Sequence, residues 1–157
     1  MRVSPAHDPS AMSLYQAFLD EVTAAIWAGD AERAAALMIY PHDMQTAAGK
    51  VQVTCAAELA AAGQAFRDSI RRMGATEYHR VCKTAAFDGA SDRIVGTHVT
   101  HILAGGTYAI KPFANRMWMQ KEEGIWKGAG IVSEAMDRDC TILNVPGRST
   151  AETEARQ

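Results

Sequence analysis

At Gly74 the hydrophobic period of the chain changes, and this change restricts the fold more than any other feature. Before it, large apolar residues recur at helical spacing: Leu14, Phe18, Val22 and Ile26, then Leu59, Ala62, Phe66, Ile70 and Met73. After it they alternate, which is the period of a strand. Four long strands are expected at Glu77–Phe87, Arg93–Leu103, Thr107–Lys121 and Ile125–Glu134. The links between them are short and polar or glycine-containing, as antiparallel hairpins require. Pro112 lacks an amide hydrogen, so it marks a bulge or an edge within the third of these strands.

The helical half divides further. Ser13 and Gln16 have capping-box spacing, so the first helix is expected from Ser13, ending at Gly29-Asp30. Asp30 caps a short second helix, Ala31–Met38, which Pro41 stops. Tyr40–Gln45 and Val51–Thr54 read as a short hairpin, and Thr54 as the cap of a third helix. The chain is therefore expected to be α+β: three N-terminal helices with a short hairpin, packed on a curved, mostly antiparallel sheet. The expected limits are a loose arm over residues 1–12, one domain over 13–136, and a polar, partly disordered tail over 137–157. Cys140–Val145 could add a strand to it.

Both faces of the long strands carry apolar residues. One is expected to hold Ile94, Ile102, Ile110, Trp118 and Trp126, the other Val95, Val99, Leu103, Phe113, Met117 and Ile131. A sheet covered on one face only alternates more cleanly. The expectation is that helices cover one face and a second copy of the chain the other, giving a homodimer.

With 157 residues, there is enough chain for one core. The net charge of −2 lacks the basic excess that a nucleic-acid or anionic-membrane partner needs. No apolar run approaches membrane-spanning length, and Met1–Ser13 is not a signal peptide. Cys55, Cys82 and Cys140 are odd in number and form no C-x-x-C pair. Free thiols in a reducing cytoplasm are expected, with no structural metal. Nucleotide, P-loop, zinc-protease and nucleophile-elbow motifs are absent, so no cofactor is expected.

Three stretches carry a resemblance: Trp27-Ala-Gly-Asp30, the helix after Thr54, and Asn115-Arg-Met-Trp-Met-Gln-Lys-Glu-Glu-Gly-Ile-Trp126. Over Leu14–Glu134 the chain resembles the nuclear transport factor 2-like superfamily. Its members include ketosteroid isomerases, SnoaL-like cyclases and the association domain of calmodulin-dependent kinases. The resemblance implies a cone-shaped, cystatin-like α+β roll with a pocket between helices and sheet. Its members include enzymes, binding modules and oligomerisation domains, so the fold leaves activity open. The isomerase chemistry uses an aspartate base with a tyrosine and a protonated aspartic acid as oxyanion donors. Aligned from Gly29-Asp30, this chain has Val22 at the tyrosine and Thr46 at the base, with Asp43 the nearest carboxylate.

His98 and His101 lie three apart on a strand, so they face opposite sides and cannot form one metal site. Each is either a pocket group or a histidine bonded within the sheet. If the turns after the second and third long strands are three-residue loops, His98, Tyr108, Ile110, Arg116, Trp118 and Trp126 share one face. In the kinase association domain, which this face resembles, basic residues near His98 and at Arg116 line the pocket. Arg116 otherwise points to solvent or pairs across a dimer. Tyr40 and His42 share a face beside Pro41, as pocket donors or as a surface cluster. Arg67, Arg71, Arg72 and Arg80 form a basic patch, either a solvated helix face or an acidic-ligand site. The leading reading is a small-molecule-binding domain in which His98 and Arg116 orient an acidic or carbonyl-bearing ligand and Tyr40 and Trp118 shape the walls. The alternatives are an isomerase, cyclase or dehydratase using His98 or His42 as acid/base, and a non-catalytic dimerisation module.

Overall fold

The computed structural model describes residues 6–89 and 91–135. Helix α1 (Pro9–Trp27), helix α2 (Ala31–Ala36), strands β1 (Met38–Thr46) and β2 (Gly49–Val53), and helix α3 (Ala56–Arg72) precede strands β3 (Glu77–Phe87), β4 (Arg93–Ala104), β5 (Thr107–Glu122) and β6 (Ile125–Ser133). The six strands form one sheet in the order β2-β1-β6-β5-β4-β3. All neighbours are antiparallel except β1 and β6. The α+β class and the element order agree with the sequence expectation. The expected tail, including Cys140–Val145, lies outside the described residues. Among the described residues no helix is long and apolar enough to cross a membrane.

Two helix starts differ from expectation. α1 begins at Pro9, because the Asp8 carboxylate accepts from the amides of Ser10 and Ala11 and proline suits the first turn. Part of the expected arm is thus helix, and Ala6–Asp8 is tied by backbone hydrogen bonds to Ala85 at the free edge of β3. Ser13 caps nothing there. Gln16 instead accepts from the Cys82 amide and donates to the Arg80 carbonyl, clasping β3 to the helix beside a bulge. Cys55, not Thr54, occupies the cap position of α3. Thr54 donates from its amide and hydroxyl to Glu58, which sits in the first turn of that helix.

The helices cover one face of the sheet in two patches. Tyr15, Phe18, Leu19 and Val22 of α1 pack on Ile94, Met117 and Met119. Phe66 and Ile70 of α3 pack on Tyr78, Ile102 and Ile110. Glycines let the layers approach. A Cβ at Gly96 would lie 2.6 Å from the Tyr15 ring, and one at Gly128 3.0 Å from the Phe18 ring.

Alternation on β5 and β6 is not the one expected. The β4–β5 link is a two-residue turn, Gly105-Gly106, closed by Ala104 and Thr107. Both glycines have positive φ, 60° and 92°, which suits the right-handed twist of a hairpin. Two one-residue register shifts follow, flanking Ile102↔Ile110 and ending beyond Pro112, and together they preserve parity. Met117, Phe113 and Ile131 therefore face the helices with Ile94, Ile102 and Ile110. Trp118 faces outward, its ring against Gly130, with half-buried Val95, Val99 and Leu103 on the same outer face. A further bulge between Trp118 and Met119 restores Trp126 to the helix side, where it packs on Phe87.

Candidate functional site

Between the two patches of core lies a cavity of about 880 Å³, including its open mouth. Its walls are apolar: Phe18, Val22 and Ile26 from α1, Leu59 and Phe66 from α3, and Ile131 from β6 are among them. Its polar groups come from β3, β4 and β5 and from β1. They are Tyr78, Arg80, His98, Thr100 and Asn115 on three adjacent strands, and His42. Among the described residues lining the cavity there is no aspartate or glutamate.

His98 is 1% exposed. Its Nδ1 lies 2.6 Å from the Tyr15 hydroxyl, across the helix–sheet interface. That contact depends on Gly96, which leaves room for the Tyr15 ring on the sheet two residues before His98. Nε2 of His98 is buried and has no hydrogen-bond partner among the described residues. An orphaned buried polar atom costs about 1–3 kcal/mol. If Nδ1 carried the hydrogen, the Tyr15 hydroxyl proton and the Nε2 lone pair would both lack a partner among the described residues; with the hydroxyl donating to Nδ1, only the Nε2–H lacks one, and that tautomer is the better satisfied. The orphan is therefore an N–H donor. Desolvation, reinforced by the charge of Arg80, lowers the His98 pKa to about 2, so the ring is neutral at physiological pH. Burial likewise raises the Tyr15 phenol above its ordinary range.

The remaining polar groups are locked. Ser133 donates to the Asn115 carbonyl at 2.6 Å, and the Asn115 amide donates to Thr100 at 2.8 Å. His42 is buried, with Nδ1 donating to the Gly128 carbonyl, and burial lowers its pKa. Arg80 is half-buried; Nε donates to the Thr23 hydroxyl at 2.7 Å and Nη2 to the Leu19 carbonyl at 3.4 Å.

Of the four residues expected to form the site, His98 alone lines the cavity. Arg116 is exposed on the outer face, opposite to its neighbours Asn115 and Met117. The expected His98–Arg116 pairing is therefore corrected: the two-residue glycine turn places His98 opposite Asn115, with Arg116 turned away. Trp118 is outward for the same reason. Tyr40 does not line the cavity; its hydroxyl donates to the Ala35 carbonyl at 2.6 Å, and burial raises its pKa to about 12. His101 lies on the outer face beside Tyr108. The basic patch also divides. Arg67 donates to the Trp27 carbonyl and Arg71 lies over the Trp27 ring, while Arg80 enters the cavity. Its signal was present: Tyr78, Arg80 and Cys82 alternate with Glu77, His79, Val81 and Lys83, so Arg80 shares the face of Tyr78.

The buried neutral histidine makes stability depend on pH. An unfolded histidine takes up a proton near pH 6.5, whereas folded His98 does so only at about pH 2. Between these values the unfolded state holds the extra proton, so stability falls as pH falls. The contribution is whole above pH 6.5 and shrinks by about 1 kcal/mol per pH unit below it. In urea unfolding between about pH 7 and pH 5, His98→Asn should lose stability less steeply than the wild type by that slope. Equal slopes would mean that His98 titrates normally in the fold.

No family model matches the chain, and no curated protein matches it in sequence. Solved structures do match. A domain of unknown function with a cystatin-like fold from Nostoc punctiforme is 19% identical, with a TM-score of 0.63 over 83% of this chain and 82% of that one. Aln2 from a Streptomyces species is 14% identical, with a TM-score of 0.63 over 85% and 96%. A nuclear transport factor 2-like protein from Novosphingobium aromaticivorans is 14% identical, with a TM-score of 0.58 over 92% and 88%. At these identities the likeness is one of fold, and the fold is that of the nuclear transport factor 2-like, cystatin-like proteins.

Proposed function

We propose that the chain binds a small, largely apolar molecule in the cavity between helices and sheet, and that His98 donates a hydrogen bond from Nε2 to an oxygen of that molecule. The observation that carries this reading is the orphaned Nε2 of a fully buried residue lining an otherwise apolar cavity. A bound carbonyl or ether oxygen would satisfy it. The cavity pairs apolar walls with a few convergent polar groups, as small-molecule sites do. Acid/base catalysis by His98 would require it to exchange a proton near neutrality, and its lowered pKa opposes that. A neutral donor of fixed direction is what the surroundings favour.

Two naphthalenes test the reading. 2-Acetonaphthone presents a carbonyl on an apolar body, and 2-ethylnaphthalene has the same shape without it. The ketone should bind the wild type more tightly than the hydrocarbon, and His98→Phe should erase the difference, about tenfold for one hydrogen bond. Ala62→Leu, which fills the cavity from α3, should weaken both. Binding of neither compound, or binding unaffected by Ala62→Leu, would contradict a ligand site in this cavity.

We also propose that a second copy of the chain covers the outer sheet face. The support is a run of apolar side chains there, with Val81 41% exposed and Val95, Val99 and Trp118 half-buried. Sedimentation at micromolar concentration should give a dimer; a monomer would contradict this arrangement.

A further inference from the structure

Among the described residues lining the cavity, Arg80 is the one arginine, and no lysine joins it. Its guanidinium lines the cavity half-buried, and no carboxylate pairs with it among the described residues. Both of its hydrogen bonds are to neutral oxygens, those of Thr23 and Leu19. A guanidinium carries five N–H donors, and these two bonds leave donors on Nη1 and Nη2 without a protein acceptor in the described structure. The Tyr78 ring, 6.0 Å from the guanidinium, is a weak partner for the charge, and an anionic group would complete it far better beside apolar walls. The bonds from Nε to Thr23 and from Nη2 to Leu19 also hold the group in place, so it is not a swinging surface arginine.

Its position relative to the donor is fixed by the ladder. Arg80 pairs across the strands with Thr100, and Cys82 with His98, so Arg80 and His98 are diagonal neighbours on the inner face. The cation and the neutral N–H donor thus lie on the same floor, and no acidic side chain of the lining opposes them. Apolar walls rise from that floor. Such a surface favours an anionic oxygen group at one end of a hydrophobic body over a neutral or cationic one.

We propose that the ligand of this cavity is a carboxylic acid with a hydrophobic body, its carboxylate held by Arg80 with His98 donating beside it. This deepens the reading given above and rests on it: the cavity must bind a ligand at all before the charge of that ligand can be asked.

Decanoate and decanol separate the two questions, because they share an alkyl chain and differ in the head group. By calorimetry at neutral pH, decanoate should bind the wild type at least about tenfold more tightly than decanol. Arg80→Met should bring decanoate to the level of decanol while changing decanol affinity by less than about twofold. Arg80→Lys, which keeps the charge but loses the planar fork, should lie between. A purely structural Arg80 would change both ligands alike. The comparison in the wild type stands even if Arg80→Met does not fold. Equal affinity for acid and alcohol would overturn the carboxylate and leave the cavity reading intact. Binding of neither decanoate nor decanol, with 2-acetonaphthone also unbound, would overturn both.

Discussion

The hydrogen bond between Tyr15 and His98 joins the two layers of the domain at the place where the cavity begins. It spans 83 residues of sequence and depends on Gly96, because any side chain there would collide with the Tyr15 ring and with the backbone of Thr84. With the hydroxyl donating, it places the hydrogen of His98 on Nε2 and so sets the character of the orphaned nitrogen. The same helix also supplies Phe18 and Val22 to the wall, and Thr23 and the Leu19 carbonyl to hold Arg80. The docking of α1 on β3 and β4 therefore sets the polar floor and the apolar wall together.

Much of the fold could be read from the sequence, and the part that could not shares one physical cause. Helical spacing, Gly74 and the run of alternating strands established the element order and the α+β class. Strand limits in the second half differ from expectation by a residue or less. Side-chain direction is harder, because it depends on parity, and one residue in a turn reverses it. Gly105-Gly106 is a two-residue turn with both φ positive, and this alone separates Arg116 and Trp118 from His98. The bulge expected at Pro112 is present as two one-residue shifts in the same sense, which together leave parity unchanged, whereas the bulge on β6 had no proline to mark it. Arg80 was obscured by the neighbouring arginines of α3, although its own strand alternates plainly. The Tyr15–His98 bond had no local signature at all, since neither residue implies the other until helix and sheet are docked.

Chemically, the site is poor in groups that exchange protons near neutrality and rich in groups that hold a fixed polarity. His98 and His42 are kept neutral by burial, Tyr15 is kept protonated, and Asn115 is clamped between Ser133 and Thr100. Oriented dipoles against apolar walls recognise a ligand without reorganising, which is the physical basis for reading the cavity as a binding site. Burial of an N–H donor without a partner is tolerable where occupancy by a ligand returns the missing bond.

The central claim is that His98 presents a neutral Nε2–H, fixed by Tyr15. Long-range nitrogen–proton correlation spectra of the imidazole ring report the tautomer and its charge directly. The account predicts the Nε2–H form of His98, unchanged as the pH is lowered through the ordinary histidine range for as long as the protein stays folded, and converted by Tyr15→Phe to a mixture. A ring that protonates near pH 6.5, or one that carries its hydrogen on Nδ1, would contradict it.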